Sequence, residues 1–251
     1  MQPIKIALVL VLTNIVSVCN ATPAAAPPTQ VVYRFDEHRY LELVGYNCEG
    51  ALWFTDSAKN IHTEITSQFY RVFTKKYVHP SERYIAITGF EGGGFLISKD
   101  YGRTWDRARY SPGSGAVRYG DDSPQRQDIE SFTVVNDQGF IQTKQGDIYM
   151  SSKPFDDPRL EPGGSGIDYT RTTSRGRVET HHIRPGYGGG KWGKDYISWN
   201  SVQGTTPWTI FAYRTNFQGI PNKVPEVKNY TGWDKMRCNP DLGSSPSEQG
   251  K

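Results

Sequence analysis

Histidines, paired carboxylates and serines are the residues of this chain that could do chemistry, and their spacing decides whether they can. His181-His182 is the only adjacent histidine pair. A metal site on a strand needs ligands at alternate positions, because neighbouring strand residues point to opposite faces. The acid pairs Asp121-Asp122 and Asp156-Asp157 stand beside serine or proline, where turn formation explains them. No GxSxG nucleophile motif occurs.

The octapeptide 98–105, Ser-Lys-Asp-Tyr-Gly-Arg-Thr-Trp, fits the pattern Ser-x-Asp-x-Gly-x-Thr-Trp, known as an Asp box. In this motif the carboxylate and hydroxyls bond to backbone groups of a β-hairpin turn, and glycine supplies a positive φ. The tryptophan is expected to pack beneath the hairpin. The predicted structural members are Ser98, Asp100, Gly102, Thr104 and Trp105. The box therefore indicates how the chain folds and is not an active site.

Asp boxes also suggest sialidases and related glycosidases, so a sialidase-like enzyme is one alternative for this chain. Such an enzyme needs an arginine cluster for the substrate carboxylate and a Tyr–Glu nucleophile pair. Arginine and tyrosine are plentiful here, but their spacing distinguishes no such arrangement. The residues therefore predict no catalytic group, no cofactor and no metal site, although Asp-rich turns leave a structural divalent ion open.

The elements that carry these residues are predicted to be strands. Short alternating or β-branched segments recur between Gly, Pro, Asn and Asp residues, and no segment of helical length keeps a 3.6-residue period. The predicted strands are 31–35, 40–44, 51–55, 69–74, 84–88, 94–98, 131–135, 139–143, 147–151, 195–199 and 208–213. The chain is therefore predicted to be all-β.

Weak similarity between hairpins indicates a repeated unit. Strand–turn–strand patterns occur at 51–63 and 96–105, and a degenerate one at 148–158. Their spacing of roughly 45 residues is typical of propeller blades, so about five small blades would fit the length. A β-sandwich with long loops is the alternative architecture.

The ends of the chain predict export. Lys5, an apolar run over 6–18 and the small residue Ala21 form a signal-peptide pattern. The predicted organisation is a signal peptide at 1–21, an Ala/Pro-rich linker at 22–30, one β domain at 31–243 and a disordered tail at 244–251. A lipid anchor on Cys19 is an alternative to soluble release. Val18 before that cysteine disfavours the anchor.

Cysteine usage and charge restrict the class of protein further. Once the signal peptide is removed, Cys48 and Cys238 remain, and in an oxidising compartment this pair predicts a disulfide. Two free or metal-binding thiols are the alternative, with no CxxC motif to support them. The 29 basic and 26 acidic side chains nearly balance, which gives no argument for nucleic acid. No later apolar run is long enough to span a membrane.

Several longer segments of the chain resemble a known family. The segments are 79–84, 89–95, 132–140, 151–159, 224–233 and 238–243, and they include HPSERY, GFEGGGF, FTVVNDQGF, SSKPFDDPR and VPEVKNYTGW. In the sequence of these segments the chain resembles the immunity proteins paired with type VI secretion lipase effectors of Gram-negative bacteria. The third class of lipase-immunity proteins is the most similar, from residue 31 to residue 243.

That resemblance implies a periplasmic protein that binds a toxic phospholipase and inhibits it by stoichiometric binding, without chemistry of its own. The partner would be a cognate lipase effector, whose catalytic cleft is occluded or whose lid is restrained. Polar loops at 110–122 and 156–177 and the glycine-rich stretch 186–193 are the predicted contact regions. Their candidate partner-binding residues are Tyr119, Asp121, Asp122, Arg171, Arg175, Tyr187 and Trp192. A glycan- or envelope-binding propeller protein is the alternative function.

Overall fold

The computed structural model describes residues 26–89, 94–110, 124–151, 163–172, 175–184, 193–198 and 223–243. Within these ranges the regular elements are strands, apart from one short 3-10 turn at Arg126–Asp128. The all-β prediction is therefore confirmed. The predicted signal peptide, the tail and the strand at 208–213 lie outside the described residues.

The first sheet is an antiparallel meander of four strands. Its strands are β1 (Thr29–Arg34), β2 (Arg39–Tyr46), β3 (Glu49–Asp56) and β4 (Ile61–Arg71), in the order β1-β2-β3-β4. Alternation along β2 turns its leucines inward and leaves the residues between them half-buried. This sheet has the size and strand order of one propeller blade.

The second sheet has eight strands in the order β5-β9-β10-β11-β14-β8-β7-β6. Their bounds are β5 Lys76–Val78, β6 Ile85–Thr88, β7 Phe95–Ser98, β8 Asp106–Tyr110, β9 Ile129–Val135, β10 Gln138–Thr143, β11 Ile148–Ser151 and β14 Asp195–Ser198. The pairs β5–β9 and β14–β8 are parallel, and the other pairs are antiparallel. The described strands therefore do not separate into about five sheets of four, the arrangement of an ideal propeller.

A separate hairpin pairs β12 (Ile167–Thr172) with β13 (Val178–Ile183). The sequence predicted a polar loop across 156–177, so the loop prediction is wrong for the span of β12. The segment IDYTRT alternates, but its charged and hydroxyl-bearing residues hide a strand pattern that a composition-based interpretation treats as loop.

One hydrophobic core serves both large sheets. The Tyr33 ring of β1 lies 4.5 Å from the Tyr77 ring of β5, and Tyr77 stacks on Phe132 of β9 at 5.5 Å. Phe95 of β7 continues the contact to Phe132 at 5.4 Å and stacks on Tyr196 of β14 at 3.7 Å. Each such ring contributes about 1.5–3 kcal/mol when it is fully buried. The aromatic residues of the chain therefore hold the sheets together.

The C-terminal strap, residues 223–243, also joins the two sheets. Backbone amides of Trp233 and Arg237 donate to the carbonyl oxygens of Arg34 and Val32 in β1, both at 2.8 Å. The carbonyl oxygen of Asp234 accepts a hydrogen bond from β5 at 2.7 Å. The strap therefore satisfies backbone groups of both sheets and closes the seam between them.

Candidate partner-binding surface

The Asp box closes the turn between β7 and β8. Asp100 Oδ1 accepts hydrogen bonds from the amides of Arg103 at 3.1 Å and Thr104 at 2.9 Å, and from the Ser98 hydroxyl at 2.7 Å. Thr104 Oγ1 donates to Asp100 Oδ2 at 2.6 Å. Partial burial raises the pKa of Asp100, but hydrogen bonds from Thr104, Ser98 and Arg103 outweigh it and hold the pKa below its ordinary value.

The box also ties the second sheet to the first. Trp105 Nε1 donates to Thr63 Oγ1 at 2.9 Å, and that hydroxyl donates to the carbonyl oxygen of Gly102 at 2.7 Å. The Trp105 ring contacts Phe54 of β3 with centroids 5.8 Å apart. Trp105 thus packs on the neighbouring sheet, whereas the sequence predicted packing beneath its own hairpin. The box members contact the protein itself, so they build the scaffold and offer no binding site.

The disulfide anchors the strap to the first sheet. Cys48 and Cys238 are bonded, with Cα atoms 5.9 Å apart and a sequence separation of 190. Cys48 lies in the two-residue turn between β2 and β3, where Asn47 has φ 53° and Cys48 has φ 61°. Positive φ at both positions is the geometry of a type I′ hairpin turn, which Asn favours and Cys does not. The crosslink accounts for a cysteine at this position.

The bulged end of β4 presents the most exposed large hydrophobic side chain of the described residues. Gly50 pairs with Tyr70 and Leu52 pairs with Thr66, so a step of two positions along β3 corresponds to a step of four positions along β4. The two extra residues form a bulge on a strand at the edge of its sheet. Phe69 stands in this bulge with 73% of its surface exposed.

Phe69 also has an unfavourable backbone conformation. Its φ is 63°, and among residues other than Gly, Asn and Asp only Cys48 and Tyr101 share a positive φ in the described structure. The disulfide accounts for Cys48 and the Asp-box turn for Tyr101. At Phe69 the bulge in the β3–β4 pairing sets the φ, but the exposed ring gains no packing in the fold that would offset its cost. A bulky residue held in this region costs about 1–3 kcal/mol, and such strain concentrates at functional sites.

A groove of about 820 Å³ lies beside the bulge. One wall is the β2–β3 turn with the end of β4, and the other is the C-terminal strap. The lining residues are Asn47, Cys48, Glu49, Arg71, Val72, Thr74, Lys235, Met236, Arg237, Cys238 and Pro240. The disulfide joins the two walls, so the groove depends on contacts between distant parts of the chain.

The groove carries more positive than negative charge. Its lining contains the cations Arg71, Lys235 and Arg237 and one carboxylate, Glu49. Arg71 forms an ion pair with Glu49, and the Arg237 guanidinium lies 4.3 Å from the centre of the Trp233 ring. Within the described ranges, neither Lys235 nor Arg237 has an ion-pair partner. We call Tyr46, Phe69 and this groove the bulge–groove surface.

The buried polar groups of the described residues belong to the core of the fold. His79 is fully buried and its Nε2 accepts a hydrogen bond from the Ala86 amide at 3.1 Å. Burial, with the Arg39 cation nearby, holds the pKa of His79 well below its ordinary value. The ring is therefore neutral and closed to solvent. Among the described residues, no group of three or more His, Cys, Asp or Glu side chains could hold a metal ion.

Most of the remaining predicted residues lie outside the described structure. Tyr119, Asp121, Asp122, Tyr187 and Trp192 fall outside the described residues. Arg171 lies on β12 in register with Glu179. Arg175 is exposed in the turn that follows β12. A partner-binding surface formed by these seven residues therefore stays a prediction. In the β12–β13 hairpin, Asp168 pairs with His182, and His182 Nδ1 lies 2.7 Å from Asp168 Oδ1.

Sequence reasoning missed the bulge–groove surface. Residues 69–74 were predicted as a strand, whereas β4 runs from Ile61 to Arg71 and only its last residues fall in that range. The polar Ser67-Gln68 pair before Phe69, which interrupts the alternation of β4, is the one signal that could have indicated an exposed aromatic residue. No helix in the described part of the chain has the length and apolarity to cross a membrane.

Comparison with known proteins gives a family match and distant structural likenesses, one of which is described here. Residues 25–133 match the family model described as "T6SS Tli3 immunity protein". No curated protein matches. A solved structure described as "YCF48 bound to D1 peptide" is 18% identical, with a TM-score of 0.32, and the match covers 69% of this chain and 55% of that one. The match thus spans about half the length of that structure's chain, and a likeness of this size carries no argument.

The matched segment extends from before β1 into β9 and contains Cys48, Phe69 and the complete Asp box. It also contains the segments HPSERY and GFEGGGF, on which the resemblance was based. The resemblance is therefore confirmed over residues 25–133, where the chain is similar to the T6SS Tli3 immunity proteins.

Proposed function

We propose that this chain binds a cognate type VI secretion phospholipase effector in the periplasm and inhibits it, so that the producing cell and its siblings are protected. The family match supports an effector as the partner. The signal-peptide pattern at 1–21 supports the periplasm as the compartment. The resemblance to lipase-immunity proteins supports a phospholipase as the effector.

The observation that carries the proposal is Phe69 in the bulge of β4. An exposed aromatic side chain held in a strained backbone is a costly feature that packing does not explain. Aromatic residues and arginines dominate the binding energy of protein interfaces. Phe69 lies two residues from Arg71, and Tyr46 at the end of β2 is also exposed. This combination suits the centre of an interface better than a solvated surface.

The same side chain suits a lipase as partner. A phospholipase must hold acyl chains, so the cleft that leads to its catalytic residues has apolar walls. A phenyl ring on a projecting bulge can enter such a cleft, exclude substrate and bury the ring at the same time. Binding to a lid that must open would use the same contact. In either case inhibition follows from occupancy, with one inhibitor for each enzyme.

The internal chemistry of the chain supports inhibition without catalysis. His79 is neutral and buried, and the hydroxyls of Tyr84 and Tyr196 hydrogen-bond to each other at 2.9 Å inside the core. These groups stabilise the fold and are closed to substrate. A role through surface contacts needs no reactive group, only rigid sheets behind the contact residues.

The test is a binding and inhibition experiment with the candidate effector, which we expect to be a lipase encoded by a gene adjacent to that of this chain (the neighbouring lipase). The purified chain is titrated into the lipase, and phospholipid hydrolysis is measured. We expect hydrolysis to fall in proportion to the added chain and to be abolished at equal molar amounts. Phe69→Ala should weaken inhibition, whereas Val178→Ala should not, because Val178 is a similarly exposed apolar residue on the separate hairpin. Full lipase activity at equal amounts would refute the proposal and favour a glycan- or envelope-binding role.

A further inference from the structure

The bulge–groove surface has a chemical character that specifies its partner more closely than the family does. We infer that the groove beside Phe69 receives a carboxylate-bearing extended segment of the effector, held by Lys235 and Arg237. This inference rests on the proposed function and deepens it. It concerns the C-terminal strap, which lies outside the segment that matches the family.

The positive charge of the groove is a local feature of a nearly neutral chain. The whole chain is close to neutral, with 29 basic and 26 acidic side chains. The groove nevertheless contains three cations and one carboxylate. Arg71 compensates that carboxylate through its ion pair with Glu49, so the charges of Lys235 and Arg237 remain. A partner that occupies the groove must remove both cations from water, which is unfavourable unless it brings opposite charge.

The two remaining cations, Lys235 and Arg237, are positioned differently in the groove. The Arg237 side chain lies over the Trp233 ring, which limits its motion and directs its guanidinium. Such an ordered guanidinium is suited to bidentate binding of a carboxylate. Lys235 is fixed in the fold by an isolated antiparallel backbone bridge to Lys76, and its side chain lines the groove. A flexible ammonium group of this kind adds a point charge for an anionic ligand beside the ordered guanidinium.

The shape of the groove suits an extended peptide. The groove is an open channel between the strap and the end of β4, with Pro240, Met236 and Val72 as apolar lining. An extended peptide fits such a channel, with its acidic side chains at the cations and its apolar ones on this lining. Phe69 at the adjacent bulge then contacts the same partner. A single partner protein can therefore contact Phe69, the apolar lining and the cations of the groove at the same time.

An anionic phospholipid surface is the competing occupant. Electrostatic recruitment to membranes uses clusters of about 4–8 Lys or Arg residues on a projecting surface. The groove has three, they line a concavity, and one is already paired with Glu49. A flat bilayer cannot reach into a channel between two walls. The structure therefore favours a protein segment over a membrane.

The test uses charge reversal with a matched control. The double variant Lys235→Glu/Arg237→Glu is compared with Lys144→Glu/Lys223→Glu, which makes the same charge change at exposed lysines outside the groove. Affinity and association rate for the neighbouring lipase are measured between about 50 mM and about 500 mM NaCl, where screening changes strongly. Melting temperatures establish that each variant is folded.

We expect the groove variant to bind at least about tenfold more weakly at low salt, mainly through a slower association rate, and to lose most of its salt dependence. The control variant should keep the affinity of the unaltered chain within about a factor of two to three, as distant charges are largely screened. If the unaltered chain binds the lipase and the groove variant binds equally well, the groove inference is wrong and the proposed function stands. If the unaltered chain does not bind the lipase, both fail.

A second arm addresses the membrane. Each protein is sedimented with vesicles of phosphatidylglycerol and phosphatidylethanolamine. We expect no binding that depends on Lys235 and Arg237. Vesicle binding that the groove variant loses, together with unchanged lipase affinity, would identify the groove as a lipid site and overturn the inference.

Discussion

Phe69→Gly separates a binding role from a structural role, because the two predict opposite changes in stability. The ring is 73% exposed, so its removal takes away little packing. At φ 63° a side chain costs about 1–2 kcal/mol, which glycine avoids. Glycine in turn loses about 0.5–1 kcal/mol more backbone entropy on folding. These two terms leave a gain of about 0–1.5 kcal/mol, and the small loss of packing reduces it, so we expect the free energy of unfolding to stay unchanged or to rise by up to about 1 kcal/mol.

The same change should weaken binding to the lipase. Full burial of a phenylalanine side chain contributes about 1.5–3 kcal/mol, and the part still available for burial at an interface is the exposed 73%. The loss is therefore about 1–2 kcal/mol, which corresponds to a dissociation constant raised about 5- to 30-fold. Val178→Ala, at 65% exposure on β13, serves as the control and should leave affinity unchanged.

The assay combines calorimetric titration of the lipase with thermal unfolding of each variant. The melting temperature of Phe69→Gly should be equal to that of the unaltered chain or higher by up to about 4 °C. A loss of stability above about 1 kcal/mol would show that Phe69 packs within the fold, and the strain argument would be wrong. An unchanged dissociation constant with unchanged stability would remove Phe69 from the interface.

Three further predictions concern the scaffold. Asp100→Ala should lower the free energy of unfolding by about 1–3 kcal/mol at pH 7, because turn donors lose their acceptor. Because the pKa of Asp100 in the folded protein lies below 3.8, the stability difference between the two proteins should persist above about pH 4 and shrink as the pH falls through that folded-state pKa. Urea unfolding at a series of pH values measures this difference. Gly102→Ala places a Cβ 2.2 Å from Phe54 at φ +88° and should cost about 2–4 kcal/mol in thermal unfolding, against about 1–2 kcal/mol for Gly146→Ala, which has φ +91° and no atom within 4 Å. Cys48→Ser opens a crosslink across 190 residues and should lower the free energy of unfolding by up to about 5 kcal/mol, with no further loss when a reductant is added.

Local patterns in the sequence predict much of this fold. Alternation along 40–44 places Leu41 and Leu43 in the core, and the Asp-box wording predicts the turn that Asp100 closes. Each of these features depends on residues within a few positions of one another. Such short-range signals survive in a single sequence because strand period and turn chemistry are local properties.

The bulge–groove surface could not be predicted in the same way. An aromatic residue in a strand-like segment is normally buried, and the positive φ of Phe69 follows from how β4 must pair with β3. The groove combines the β2–β3 turn with a strap almost two hundred residues later, as the separation of 190 between Cys48 and Cys238 records. The resemblance to a family predicted a kind of partner. The position of the surface that would bind this partner depends on non-local packing.

Inhibition by binding is tested most directly when the neighbouring lipase is titrated with the purified chain while complex formation and phospholipid hydrolysis are measured together. We expect a complex of one chain with one lipase and complete loss of hydrolysis at equal molar amounts. A lipase that remains fully active, with no complex at that ratio, would contradict it.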